Sequence, residues 1–197
     1  MKSNYKLDII IKKYIIKENE KRKLEEVQVA DVYWITGLSG AGKTTIGHLW
    51  YSYLKEQFPN TVFLDGDTLR QVFGDDLGYT EVDRRKSAMR NARICNMLSE
   101  QGIHVVCCTI SMFDEVREWN RQHIKKYHEV YVKVTMETLQ KRDQKNLYTN
   151  SNLGKENNLV GVHIALEEPK KPDLILYNDG DKTPEEQIEI MKSHFTL

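Results

Sequence analysis

Gly37-Leu38-Ser39-Gly40-Ala41-Gly42-Lys43-Thr44-Thr45 stands between two apolar segments of different character. Before it runs Val32-Tyr33-Trp34-Ile35-Thr36, β-branched and apolar like a buried strand. After it Ile46-Gly47-His48-Leu49-Trp50 carries apolar residues at helical spacing. The nine residues satisfy the phosphate-loop pattern G-x-x-x-x-G-K-[ST], and the flanks supply the strand–loop–helix setting it needs. Gly37, Gly40 and Gly42 let backbone N–H groups turn toward phosphate oxygens. Ser39, Ala41 and Thr45 complete the cradle, and the helix N-terminus adds its dipole. Lys43 is expected on the β- and γ-phosphates, and the Thr44 hydroxyl on Mg²⁺. The stretch implies a nucleoside triphosphate site.

From residue 31 onward strands and helices alternate. Thr61-Val62-Phe63-Leu64, Ile103 to Thr109, Val130 to Val134 and Leu174-Ile175-Leu176 read as four further strands. Ala88, Ala92, Cys95 and Leu98 mark the clearest helix face, with Lys86, Arg90 and Arg93 turned away. This alternation predicts an α/β fold, a central parallel sheet of about five strands with helices on both faces. Ligands then gather at the carboxyl ends of the strands. The boundaries predicted are an N-terminal helical extension over 1–30 and one domain over 31–197. Residues 144–160, polar and without periodicity, read as a lid.

Composition narrows the class. The 197 residues carry 29 basic and 29 acidic side chains, so no basic surplus points to nucleic acid. No apolar run reaches membrane-spanning length. Leu7, Ile10, Ile11, Tyr14 and Ile15 form one helical stripe, but Lys12 and Lys13 break any secretory apolar core. Such a stripe packs on the domain or on a second subunit, which leaves a homodimer open, in preference to a membrane surface. Cys95, Cys107 and Cys108 match neither zinc nor C-x-x-C spacing, so buried reduced thiols in a cytoplasmic protein are expected.

A second chemical centre follows the second strand, in Leu64-Asp65-Gly66-Asp67-Thr68-Leu69-Arg70. Carboxylates at a strand's carboxyl end can accept a proton from an acceptor hydroxyl or hold Mg²⁺. Asp65 carries the stronger expectation; Asp67 reads either as catalytic or as a helix N-cap. The third strand ends in Ile110-Ser111 with no Asp directly following, so Asp65 and Asp67 must supply the acidic function. Ser111 reads equally as catalytic or as a polar strand-end residue. Arg142, in Lys141-Arg142-Asp143 before the lid, could stack on a purine or stabilise phosphoryl charge.

Together these residues resemble the adenylylsulfate kinase family. The likeness runs from about Lys21 to Asn178 and takes in Tyr33 to Thr44, Leu64-Asp65-Gly66-Asp67 with Arg70, Asp76-Leu77-Gly78-Tyr79, Asp83-Arg84, Leu98 to Ser111, Arg142-Asp143 with Leu147-Tyr148, and Gly161-Val162. It implies a P-loop kinase fold and transfer of the γ-phosphoryl of Mg·ATP to the ribose 3′-hydroxyl of adenylylsulfate. It also implies Asp65 as base or metal anchor, Arg70 and Arg84 on the acceptor nucleotide, and Arg142 near the ATP adenine. Ser111 matches a serine described in the family as a phosphoserine intermediate, although direct in-line transfer needs only positioning and charge stabilisation. Lys43, Asp65, Asp67 and Ser111 are thus the candidate catalytic residues. Arg70, Tyr79, Arg84, Ser87, Ile110 and Leu159 are the candidate acceptor contacts.

Departures from the family pattern fall on the acceptor side. Ser87 replaces an Asn, and Met112-Phe113-Asp114 replaces Pro-Tyr-Arg. Asn157 to His163 replaces Lys-Gly-Phe-Thr-Gly-Ile-Asp. Leu159 therefore stands where a ring would stack on the acceptor adenine opposite Tyr79, and loss of a stacking surface costs about 1 kcal/mol or more. Adenylylsulfate is the first acceptor expected. A cytidine diphosphate derivative such as a phosphoramidate is the second, since Leu159 suits a smaller base. A nucleotide-binding regulator without turnover is the reading from another class.

Overall fold

Five strands pair in parallel in the order β2-β3-β1-β4-β5. They are β1 (Val32–Thr36), β2 (Thr61–Asp65), β3 (His104–Thr109), β4 (Tyr127–Lys133) and β5 (Leu174–Tyr177). The computed structural model describes residues 28–143, 146–153 and 159–195. The predicted extension over 1–30 lies outside these residues except for its last three. There Ala30 is buried and its backbone bonds to Ser99.

All five predicted strands are present. β4 starts three residues before the expected Val130, because its polar residues have partners: His128 Nε2 lies 2.9 Å from Asp31, and Glu129 meets Arg121 at 2.7 Å. The helices are α1 (Lys43–Gln57), α2 (Gly66–Val72), α3 (Glu81–Glu100), α4 (Asp114–His123), α5 (Met136–Arg142), α6 (Leu147–Asn152) and α7 (Pro184–His194). α1 packs with α7, while α3 packs with α4. Alternation along β1 serves both layers. Tyr33 meets Trp50 of α1 edge-on at 5.2 Å, and Thr36 bonds to the Ser111 carbonyl leading into α4.

Ala88, Ala92 and Cys95 are buried as the helix pattern predicts, with Leu98 packed at the margin. Two polar residues, Asn91 and Ser99, share that buried face. Cys95, Cys107 and Cys108 are free and buried. Burial pushes the Cys108 thiol up to about 12, with Lys43 opposing and Asp65 assisting. At the amino-terminal end of the sheet His104 stacks on Phe58, and its Nδ1 accepts the Asp31 N–H at 3.3 Å.

The chain leaves β1 for β2 on one side and later crosses to β4 on the other. The reversal of order therefore lies at β1, beside β3, and a crevice opens at their carboxyl ends. No helix of the described residues is long and apolar enough to cross a membrane.

Candidate active site

The phosphate loop curls at the end of β1 with Gly40 at φ 78° and Gly42 at φ 93°, left-handed values that an L side chain rarely takes. Space forbids a side chain as well. A Cβ on Gly37 would stand 2.4 Å from the Val132 carbonyl oxygen, and one on Gly42 would stand 2.6 Å from Asn178 Nδ2. Lys43 is buried at the start of α1 and its Nζ donates to the Leu38 carbonyl at 2.8 Å, folding the ammonium back over the loop. Ser39, Gly40, Gly42, Lys43, Thr44 and Thr45 line one cleft, and Asp65 and Asp67 close its far side.

Thr44 Oγ1 donates to Asp65 Oδ2 at 3.1 Å, joining the phosphate loop to the end of β2. The other oxygen of Asp65 accepts from the N–H groups of Asp67 and Thr68, at 3.0 and 3.4 Å. Asp65 is thus the N-cap of α2. The capping role read as an alternative for Asp67 falls to its neighbour, because β2 delivers Asp65 in extended backbone while Asp67 already lies inside the helix. Asp67 borders the phosphate cleft and both hollows next to it. It stands where the two halves of the crevice meet.

Beyond Asp67 the crevice continues as a wider cavity of about 460 Å³ bordered by Arg70, Tyr79, Arg84, Ile110, Leu159 and Val160. A narrow inner recess takes Ser87, Asn91, Ile110, Ser111, Phe113 and Val160 into its walls. All six predicted acceptor contacts therefore line one continuous hollow. The guanidinium of Arg70 donates to the carbonyls of Leu77 and Gly78 at 3.0 and 2.9 Å, and Arg84 Nε donates to the Tyr79 carbonyl at 3.0 Å. Both guanidinium groups approach the Tyr79 ring, at 4.7 and 5.3 Å from its centroid. The loop is further held by Arg90, whose two nitrogens meet both Asp76 oxygens at 2.7 Å. That bidentate contact draws the Asp76 carboxyl below its usual range.

Ser111 lies in the recess wall, 2% exposed. Its Oγ has no partner among the described residues, so no base there is placed to activate it. Arg142 does not border the clefts; its guanidinium donates to the Asn178 carbonyl at 2.7 Å. The expected lid is described at 146–153 and 159–160. It holds the short helix α6 where the polar composition suggested none. Asp143 explains the helix, accepting from the N–H groups of Tyr148 and Thr149, while the Tyr148 hydroxyl donates to the Ser39 carbonyl at 3.2 Å. Lys145 and Asn157 lie outside the described residues.

Three residues of the site escaped sequence reasoning. Tyr148 braces the phosphate loop, and Asn178 donates to the Ala41 carbonyl at 2.8 Å. Asn91 enters the recess from the helix face that also carries Ala88, Ala92 and Cys95. A polar residue at Asn91, on the stripe of Ala88, Ala92 and Cys95, was the available signal.

No group of three His, Cys, Asp or Glu that could hold a metal ion occurs among the described residues. Magnesium needs no such group, since it keeps water and phosphate oxygens and takes one or two protein oxygens. The paired Thr44 hydroxyl and Asp65 carboxylate at the cleft wall fit that demand.

Comparison with known proteins agrees with this geometry. Residues 29–177 match the family model described as adenylylsulphate kinase. A cytidine diphosphoramidate kinase of Campylobacter jejuni is 41% identical over a stretch covering 84% of this chain and 96% of the relative. An adenylyl-sulfate kinase of Halothermothrix orenii is 36% identical, with 81% and 86% covered. Among solved structures, the APS kinase CysC of Mycobacterium tuberculosis in complex with AMPPNP and APS superposes with a TM-score of 0.78 at 28% identity, covering 85% of this chain and 98% of that one. The chain belongs to the adenylylsulphate kinase family of P-loop kinases and is a phosphotransferase.

Proposed function

We propose that this kinase transfers the γ-phosphoryl of Mg·ATP to the ribose 3′-hydroxyl of a cytidine diphosphate derivative such as cytidine diphosphoramidate. The observation that carries the choice of base is the acceptor cavity itself. Tyr79 is the one aromatic residue bordering it among the described residues, and Leu159 and Val160 form apolar wall elsewhere. An aliphatic wall rewards ring area less than an aromatic one, so a pyrimidine loses little and a purine gains little. The likeness to the cytidine diphosphoramidate kinase of Campylobacter jejuni supports the same acceptor.

In this reading the phosphate loop and Lys43 bind the triphosphate, and Thr44 with Asp65 holds Mg²⁺. The metal supplies charge neutralisation on the transferring phosphoryl group. Asp67, at the junction of the two clefts, receives the proton of the acceptor hydroxyl. Arg70 and Arg84 turn from their loop carbonyls or from Tyr79 toward the acceptor phosphates. Ser111 contributes a polar wall and no covalent step.

Adenylylsulfate is the second reading, supported by Arg70, Tyr79 and Arg84, which border the same cavity. The reading without turnover is set aside, because the chain belongs to a kinase family and Lys43, Thr44 and Asp65 stand together. Product formation with Mg·ATP and each acceptor decides between the two. A higher kcat/KM for cytidine diphosphoramidate supports the first reading, and a clear preference for adenylylsulfate replaces it with the second.

A further inference from the structure

The two hollows on the acceptor side differ in what they can hold. The wider one, about 460 Å³, has room for a base ring beside Tyr79. The narrow one, about 60 Å³, suits a small tetrahedral group and lies between α3 and the end of β3. Arg70 and Arg84 border both, so an acceptor's phosphate falls between its base and its terminal group.

Two residues that wall the narrow recess each carry a buried oxygen with no hydrogen-bond partner among the described residues, Asn91 Oδ1 and Ser111 Oγ. Both residues are only 2% exposed, beyond easy reach of bulk water. Buried polar atoms are nearly always paired, and a pair of orphans in one ligand-sized recess points to a ligand that completes them.

We propose that Asn91 reads the terminal group of the acceptor and selects an amidate, which carries N–H donors, over a group that ends in oxygen alone. The inference rests on the reading of the acceptor as a nucleotide anhydride and specifies its far end. A sulfate or ionised phosphate terminus offers lone pairs only, and these would face the lone pairs of Asn91 Oδ1 in a desolvated recess. An amidate nitrogen donates to that oxygen instead. The Ser111 hydroxyl can rotate to donate or to accept, so it tolerates either terminus. Discrimination therefore falls to Asn91, whose side-chain oxygen only accepts.

The test crosses base with terminal group: cytidine diphosphoramidate, cytidine diphosphate, adenosine diphosphoramidate and adenylylsulfate, each assayed with Mg·ATP. Wild-type protein should favour the amidate over the oxygen-terminated acceptor by at least about tenfold in kcat/KM with either base, as expected of a site built to pair a substrate N–H. Asn91→Val should collapse that ratio toward one while the KM for ATP stays within about twofold. Indifference of the wild type to the terminus overturns the proposal, as does an equal loss on both termini in Asn91→Val. A preference for oxygen termini overturns it too, placing the amide's NH₂ edge in the recess. Should Asn91→Val not fold, the four wild-type ratios alone decide. A preference for adenine over cytosine at a fixed terminus would defeat the proposed base and leave this inference standing.

Discussion

Asp65 performs two tasks with two oxygen atoms, and one pair of substitutions separates them. Oδ1 caps α2 through the N–H groups of Asp67 and Thr68, and Oδ2 holds the Thr44 hydroxyl. Asn is as good an N-cap as Asp, so Asp65→Asn keeps the cap and forfeits only the favourable charge at the helix N-terminus, about 0.5 kcal/mol. Asp65→Ala forfeits the cap as well, for a total of about 1.5 kcal/mol. At about 2–4 °C per kcal/mol for a chain of this size, Tm should fall by about 1–2 °C in the first variant and about 3–6 °C in the second. Turnover should follow another pattern, because both variants remove the negative charge that faces Thr44 and, in the proposed mechanism, would hold the metal. Both should lose about a hundredfold or more in kcat. Thermal melts and single-turnover product formation, run on the same preparations, read the two effects separately. Turnover in Asp65→Asn within a few-fold of wild type would refute the metal-side role. A Tm loss in Asp65→Asn as large as that in Asp65→Ala would refute the division between the two oxygens.

Lys43→Ala should abolish phosphoryl transfer while Tm falls by only a few degrees, since its Nζ holds one loop carbonyl; turnover near wild type would remove the phosphate-loop assignment. Leu159→Phe restores a ring to the acceptor cavity and should raise kcat/KM for adenylylsulfate relative to cytidine acceptors by about fivefold, the equivalent of about 1 kcal/mol. An unchanged ratio would show that Leu159 carries no specificity. Burial, aided by Lys126, holds the His104 pKa below its usual value against the pull of Asp31, and its Nδ1 accepts a backbone N–H only when deprotonated. Below about pH 6.5 the unfolded chain binds a proton at this site that the folded chain refuses, so stability falls as pH drops from 6.5 toward the lowered folded value. The slope of Tm against pH between 7 and 5 should therefore be shallower in His104→Gln, and an equal or steeper slope would contradict this.

The legible parts of the fold were those encoded by neighbours in sequence. β1 and the glycine loop were readable because apolar β-branched residues and glycines at fixed offsets are local requirements. The early start of β4 was hidden because His128 and Glu129 look like loop residues until Asp31 and Arg121 are placed beside them. α6 was hidden for a similar reason: the carboxylate that accepts from its first N–H groups, Asp143, lies several residues upstream, across a stretch with no apolar period. In the candidate site, Lys43, Thr44 and Asp65 were proposed from motif chemistry, and the assignment of the cap to Asp65 needed backbone geometry. Asn178 supports the loop from 137 residues away, a distance over which no local pattern can speak.

Asn178 also sets a temperature limit of its own. It follows β5, an edge strand of the sheet; its N–H donates to the Lys133 carbonyl, its amide reaches the Ala41 carbonyl, and its carbonyl takes the Arg142 guanidinium. An outer strand is the part of a sheet whose opening disturbs fewest neighbours, and partial openings of that kind precede global unfolding. When β5 loosens, the phosphate loop loses its outer tether while α1 and the central strands are still in place. Heat should thus silence the enzyme before it denatures the protein, through a reversible slackening of the nucleotide grip that begins at the sheet margin.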